Sequence, residues 1–367
     1  MTKIIFVTGS QARTGGTERV CADISNYLSE IKGYEVTILS LFEGKSSGFP
    51  VGSKVFLDEI STEKMNGYLS NLYFSAKLVK YVIDHKPDIL IAVESLIFLN
   101  MLPITILPNR PKLVCWEHFN LDVNLGVRLR GKARYLATIF ADKIVVLSKE
   151  DEKNWKKKFE NNAEKISHIY NPNPFANIED QTINSNEKKK VVLSVGRLTY
   201  QKGFDLLLES WALLPDDLRS EWTLKIAGEG EDRSKLEQMI IDHELSDSVR
   251  LLGYDKNIAK EYSLASIFTL SSRFEGFGLV LLEALSYKLP VISYRCPAGP
   301  SEIISDDVNG YLIDNGDFKI FAQKLKFLME NPEVLNSMRE NTSCNINRFS
   351  SELITNDWHS LIRELTY

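Results

Sequence analysis

Short runs of apolar residues alternate along the whole chain with longer stretches whose apolar positions recur every three or four residues. Residues 3–8, 35–41, 89–93, 112–116 and 143–147 read as buried strands, rich in Val, Ile and Leu. Residues 18–31 and 71–85 between them carry helical spacing. The pattern then restarts, with strand-like runs at 190–195, 223–227, 249–252, 267–270, 290–293 and 311–313. Near-continuous apolar strands separated by helices predict parallel sheets covered on both faces. The expected fold class is therefore α/β, with two doubly wound domains. Sheets of this kind bind ligands at the carboxyl ends of their strands, and two of them facing each other would line one cleft.

Tyr170-Asn-Pro-Asn-Pro-Phe175 separates the two series, followed by a polar stretch ending in Lys188-Lys-Lys190. Prolines one residue apart favour a stiff, extended connection. The predicted domains are 1–172 and 173–350, with 351–367 forming a last helix centred on 353–365. The apolar stretch 89–107 is long enough to be tested as a membrane span, but it holds Glu94, Asn100 and Pro103. A buried strand followed by a short helix fits it better, and no transmembrane span is expected. At the start of the chain, Ile4-Ile-Phe-Val7 runs straight into Gly9, too short an apolar core for a signal peptide.

Composition narrows the class. A chain of 367 residues with 44% hydrophobic and 25% charged residues is expected to be a soluble globular protein of two domains. Its four cysteines are far apart, so neither a zinc site nor a disulfide framework is indicated, and a reducing cytoplasm fits. The net charge of −5 divides into +4 for residues 1–172 and −9 for the rest, so the first half is the one expected to meet an anionic partner.

The segment from Ser272 to Leu285, Ser-Arg-Phe-Glu-Gly-Phe-Gly-Leu-Val-Leu-Leu-Glu-Ala-Leu, holds the densest chemistry. Glu275 and Glu283 stand with seven residues between them, and a helix starting near Gly278 would aim its free amides beside Glu275. Val195-Gly-Arg-Leu-Thr-Tyr-Gln-Lys-Gly203 places Arg197 and Lys202 in a loop between a strand and a helix from Phe204, where two cations suit a diphosphate. Thr14-Gly-Gly-Thr-Glu-Arg19 follows the first strand; its paired glycines, Gly15 and Gly16, allow close approach to an oxyanion, though the motif is neither a Walker loop nor Gly-x-Gly-x-x-Gly. His118 sits directly after the strand 112–116. Arg128, Arg130, Lys132 and Arg134 cluster beside Leu125, Leu129 and Leu136, either as a solvated basic face or as a surface for lipid phosphates. No nucleic-acid-binding motif accompanies them.

Taken together, Gly-Gly-Thr-Glu-Arg after the first strand, Val-Gly-Arg-Leu with Gln-Lys-Gly at the start of the second series, and Glu-x7-Glu near the end resemble the retaining GT-B glycosyltransferases of family 4. The resemblance covers essentially the whole chain. It implies two Rossmann-like domains facing across a cleft, an N-terminal acceptor domain, a C-terminal nucleotide-sugar domain and a last helix packed back on the first. It further implies that Arg197 and Lys202 bind the donor diphosphate, with backbone contacts from Gly15 and Gly16. Glu275 would contact the donor sugar, and the amides of Phe277, Gly278 and Leu279 would reach sugar or phosphate. Glu283 would take the ribose hydroxyls, Tyr254 would lie against the base, and His118 would stand near the transferred sugar.

The implied reaction needs positioning and electrostatic stabilisation of a leaving diphosphate, with no metal and no cofactor beyond the donor. Cys296-Pro-Ala-Gly-Pro-Ser-Glu302 resembles a segment common in members using UDP-hexoses or UDP-N-acetylhexosamines. The implied acceptor is a lipid-linked saccharide, and the implied location is the cytoplasm, peripheral on the inner face of the cell membrane. Two rivals share the architecture: a non-hydrolysing UDP-N-acetylglucosamine 2-epimerase and a non-catalytic partner subunit. Glu-x7-Glu with Gln-Lys-Gly stands against the first; Arg197, Lys202, Glu275 and Glu283, all intact, stand against the second.

Overall fold

The computed structural model describes residues 1–64, 68–124, 126–175, 188–255 and 257–366, so most of the polar stretch before Lys188, and Leu125, lie outside the described residues. The chain divides into two compact units, Met1–Pro172 together with Phe349–Tyr367, and Asn173–Arg348.

The first unit is built on a seven-stranded sheet: β1 (Thr2–Thr8), β2 (Tyr34–Ser40), β3 (Val55–Glu59), β4 (Ile89–Val93), β5 (Lys112–Trp116), β6 (Lys143–Val146) and β7 (Ile166–His168). Their order is β3-β2-β1-β4-β5-β6-β7 and the pairings are parallel, as in Ile4↔Val36 and Ile4↔Ile89. The two strands without a sequence signal are the edges. β3 buries Val55 but exposes Phe56, and β7 is three residues long with half-buried Ser167 and His168. Neither shows the two-sided apolar run that betrays a central parallel strand.

Helices cover both faces. Gly16–Ser29 buries Val20, Cys21, Ile24 and Leu28, one stripe at helical spacing. The last helix, Ser351–Thr366, buries Ile354, Trp358, Leu361, Ile362 and Leu365 in the same rhythm. It belongs to the first unit, where the Trp358 ring centroid lies 4.9 Å from Trp116 and 6.2 Å from Phe6. After β4 the chain forms the short helix Ser95–Phe98 and a 3-10 stretch Leu99–Ile106 around Pro103, and no helix among the described residues is long and apolar enough to cross a membrane.

The basic segment needs a correction. Helix Leu129–Phe140 turns Arg130, Ala133, Arg134, Ala137 and Thr138 inward, so two of the four clustered cations are interior. Arg130 and Arg134 do not face an anionic surface. Arg130 donates to Glu94 at 2.8 Å and lies 3.8 Å from Glu117; Arg134 donates from Nε to Glu117 at 3.0 Å and through its terminal nitrogens to the carbonyls of Asn120, Leu121 and Val123. Helical periodicity is the reason. Positions 130 and 134 share the stripe of small alanines, which leaves room for guanidinium groups, while Arg128 and Lys132 remain exposed.

The second unit holds β8 (Val191–Val195), β9 (Thr223–Ala227), β10 (Val249–Gly253), β11 (Ile267–Leu270), β12 (Val291–Tyr294) and β13 (Gly310–Ile313) in the order β10-β9-β8-β11-β12-β13, again parallel. Its core gathers Val192, Leu224, Ile226 and Ile292 from the sheet with Phe204, Leu208 and Trp211 from helix Phe204–Ala212. The strand order reverses between β8 and β11, so the loops leaving these two neighbours diverge. That gap is where a doubly wound sheet holds its ligand.

Replacing Arg134 with Ala takes from buried Glu117 its close counter-ion, leaving Arg130 at 3.8 Å and the Phe119 N–H. The unfolding free energy of the first unit should fall by about 3–5 kcal/mol, whereas Lys132→Ala should stay within about 0.5 kcal/mol of the native chain. Denaturant unfolding of both variants checks this; equal stability would mean that Arg134 is not an internal counter-ion.

Candidate functional site

The loop after β8 and the loop after β11 are sewn together by backbone and side chain. The Arg273 N–H donates to the Gln201 carbonyl at 2.8 Å, the Gln201 amide donates to the Phe274 carbonyl at 3.1 Å, and Ser271 Oγ donates to the Lys202 carbonyl at 2.9 Å. Arg273 adds a bidentate pair to Asp205, 2.9 Å on each arm, and its guanidinium lies 4.1 Å from the centroid of the Tyr200 ring. Burial pushes the Asp205 carboxyl up, but its contacts with Arg273 and Lys235 outweigh this and hold it below the usual carboxylate range.

Gly203 makes this approach possible. It sits at φ 61°, and a Cβ there would lie 2.1 Å from the Ser271 carbonyl oxygen. Only glycine fits both the left-handed conformation and the contact.

The two loops deliver a lysine and a glutamate to one point. Lys202 Nζ lies 2.6 Å from Glu275 Oε1, and Ser272 Oγ donates to the same oxygen at 2.6 Å. Glu275 is buried, and the Lys202 side chain keeps 17% of its exposure, enough for an ammonium to reach a second anion. Arg197 stands in the same β8 loop, exposed, with no side-chain hydrogen bond or ion pair to another described residue. The arrangement can therefore hold a doubly charged group between one exposed guanidinium and one anchored ammonium.

Helix Leu279–Ser286 begins two residues after Phe277, with Gly278 at φ 89° as its N-cap. Its buried face carries Leu281, Leu282, Glu283, Ala284 and Leu285. Glu283 is buried too, and its Oε2 accepts from the Tyr262 hydroxyl at 2.8 Å, so this acid is fixed by a partner the sequence did not single out. Tyr262 stacks on Tyr287 with ring centroids 5.3 Å apart. Tyr254 follows β10 and is 61% exposed, at the carboxyl edge of the sheet. Gly299 approaches Phe277 so closely that a Cβ would stand 2.0 Å from the Phe277 carbonyl, which sets the Cys296–Ser301 stretch against the start of this helix.

In the first unit, Gly15 caps helix Gly16–Ser29, and the Glu18 carboxylate folds back to within 2.4 Å of where a Gly15 Cβ would be. His118 follows β5 and is buried beside Trp116; burial alone pushes its imidazole down to about 3, so the ring is neutral at physiological pH. Nearby, Glu94 has φ 89° and ψ 154°, a region that glycine alone takes readily, and burial raises its carboxyl above the usual range despite Arg130. Backbone strain of this kind has no signature in the sequence.

Lys202, Glu275, Ser272 and Arg197 are thus gathered on the β8 and β11 loops; Glu283, Gly278 and Leu279 follow on the adjoining helix. Asp205, Arg273 and Tyr262 support them and escaped the sequence reading. Arg273 lies inside the Ser272–Leu285 segment, but its role depends on Asp205, 68 residues away.

The doubly wound sheet with this cation-bearing switch point is of a widely shared type, and comparison places the chain in a family. The model for "Glycosyltransferase Family 4" matches residues 14–172, and that for "Glycosyl transferases group 1" matches residues 176–343. An uncharacterized glycosyltransferase of Haemophilus influenzae is 32% identical over 372 residues, covering 99% of this chain and all of its own length. The amylovoran biosynthesis glycosyltransferase AmsD of Erwinia amylovora is 29% identical, covering 99% of this chain and 100% of its own. A Campylobacter jejuni N-acetylgalactosaminyltransferase, named for a diphosphoundecaprenol-linked saccharide, is 26% identical over 100% of this chain and 99% of its own.

Among solved structures, HepE of Anabaena in complex with UDP superposes with a TM-score of 0.79 at 20% identity, covering 99% of this chain and 100% of HepE. The lipopolysaccharide outer core galactosyltransferase WaaB gives 0.72 at 21% identity, with 99% of each chain covered. The chain belongs to the family 4 glycosyltransferases, with the GT-B fold of two Rossmann-like domains, and is a glycosyltransferase.

Gly203→Ala should disturb the seam between the two loops first. Left-handed strain alone should lower stability by about 1–3 kcal/mol. Denaturant unfolding checks this; unchanged stability would mean that the seam accommodates a side chain at this position.

Proposed function

We propose that this protein transfers a hexose or N-acetylhexosamine from a UDP-linked donor to a lipid-linked or growing saccharide, with retention of configuration, in surface polysaccharide synthesis. The observation that carries this is the Lys202–Glu275 pair at the β8/β11 switch point with exposed Arg197 beside it. HepE has been solved with UDP, AmsD is named for amylovoran biosynthesis, and the Campylobacter relative is named for an undecaprenol-linked substrate. Those names support the donor and acceptor classes.

Arg197 and Lys202 neutralise the diphosphate as negative charge grows on it during sugar departure. Lys202 is pre-positioned by Glu275, so little reorganisation is needed when the donor enters. Glu275 lies close enough to Lys202 to meet the sugar attached to that phosphate, the amides at the start of helix Leu279–Ser286 supply further donors, and Glu283 takes the ribose hydroxyls. Tyr254 covers the base. The leaving phosphate helps to deprotonate the acceptor hydroxyl, which removes the need for a protein nucleophile. His118, neutral, acts at the transferred sugar as a hydrogen-bonding group, with Gly15 and Gly16 completing the diphosphate contacts. Cationic side chains take the role a metal has elsewhere, and the reading includes no cofactor.

Association with the membrane surface belongs to the same proposal. On the outer side of helix Leu129–Phe140 and the turn before it, Val127, Leu129, Tyr135, Ile139 and Phe140 are exposed together with Arg128 and Lys132. Apolar side chains flanked by cations suit an anionic bilayer surface.

Two experiments test these statements. Lys202→Ala should lower turnover by about tenfold or more with the fold intact, as loss of one charge-assisted contact worth about 1.5–3 kcal/mol requires. The assay is transfer from UDP-glucose, UDP-galactose and their N-acetylated forms to undecaprenyl-diphosphate-linked saccharides; unchanged turnover removes Lys202 from the diphosphate site, and epimerised donor formed without acceptor overturns the transferase chemistry proposed here. Arg128→Glu combined with Lys132→Glu should weaken binding to phosphatidylserine-containing vesicles, more so at low salt. Equal binding at all salt concentrations would leave that surface merely solvated.

A further inference from the structure

His118 is held in an unusual way. Its ring makes no hydrogen bond to another described residue, and its Nε2 is buried without a partner. An imidazole that acts on a substrate is ordinarily aimed by a hydrogen bond to its other ring nitrogen. Here the ring instead packs on Trp116, with centroids 4.4 Å apart and planes at 51°. Trp116 is not tethered either, since its Nε1 is buried and unpartnered. It meets Trp358 edge-on at 4.9 Å and Phe6 at 6.1 Å, and Phe6 meets Trp358 at 6.2 Å. Trp358 is completely buried, and its Nε1 also lacks a partner.

Trp116, Trp358 and Phe6 are in mutual contact, and neither indole N–H nor the His118 ring is hydrogen-bonded to another described residue, which leaves packing as the constraint on where the imidazole points. Edge-to-face contacts prefer a narrow range of angles, so such a cluster can orient a side chain as well as bury it. We infer that Trp358, on the last helix and 240 positions beyond His118, is a positioning residue that acts through Trp116 to fix the direction of the imidazole and keep water away from it.

This inference rests on the reading of His118 as the group acting at the transferred sugar. Removing the Trp358 indole would open a void behind Trp116, let that ring rotate, and admit solvent towards His118. No charged side chain contributes to the lowered basicity of His118, which comes from burial alone. The adjacent carboxylate, Glu117, is already occupied by Arg134 and lies near Arg130. The basicity of His118 therefore reports directly on how dry and fixed its surroundings are.

The test is a pH titration of histidine ring signals by NMR. The chain has five histidines, and the His118 signal is the one missing from His118→Gln. In the native protein it should not titrate above about pH 4. In Trp358→Ala its midpoint should rise by about one unit or more towards the ordinary value near 6.5, while Trp358→Phe, which keeps an aromatic ring, should stay close to native.

Should Trp358→Ala fail to unfold cooperatively, Trp358→Leu fills most of the space without the ring edge and should show the same upward shift. A folded Ala or Leu variant whose His118 titrates as in the native protein overturns the inference. Transfer by His118→Ala is measured separately. If that variant turns over normally, the catalytic reading of His118 fails while the titration still decides whether Trp358 positions it.

Discussion

The second unit depends on one contact between two loops that leave neighbouring strands in opposite directions. Lys202 comes from the β8 side and Glu275 from the β11 side, and their 2.6 Å pair exists only because Gly203 lets the first loop lie against the Ser271 carbonyl. A half-buried ion pair of this sort contributes little net stability, since desolvation offsets most of the Coulomb attraction. Its value is geometric. It holds an ammonium at the topological switch point, facing the place where a diphosphate would sit, before any ligand arrives. Around it, Arg273, Asp205 and Gln201 act as struts, and none of them needs to touch a substrate.

The first unit solves a similar problem with different forces. At the ends of β4 and β5 it holds one half-buried carboxylate, Glu94, and one buried carboxylate, Glu117, and answers them with two arginines from helix Leu129–Phe140. Of these four groups Glu94 is the one that keeps access to solvent, with 24% of its side chain exposed. His118 stands in the same region without a polar anchor and depends on aromatic packing contributed in part by the last helix. A charged network and a ring cluster thus fix the carboxyl edge of the sheet from two directions.

Much of this is legible in the amino-acid sequence. The central strands announced themselves because they are apolar on both faces, and β4, β5, β9 and β11 fall on the predicted bounds to the residue. The edge strands β3 and β7 did not, because a strand paired on one side tolerates polar and exposed side chains. The site residues on the β8 and β11 loops were visible because glycine, cation and carboxylate recur there at motif spacing.

What stayed hidden depended on partners distant in sequence: Arg273 with Asp205, Glu283 with Tyr262, Trp116 with Trp358. The basic cluster misled for a simple reason. Four cations in seven residues look like one surface until a helix of 3.6 residues per turn divides them, two outward and two into the core.

The central claim is that Lys202, set in place by Glu275, binds the donor diphosphate. Calorimetric titration of the native protein and of Lys202→Met with UDP and with UMP tests it most directly. Native protein should bind UDP about tenfold or more tightly than UMP, and the gap should nearly close in Lys202→Met, as expected when one charge-assisted contact to the outer phosphate is lost. A gap of the same size in both proteins would contradict the account.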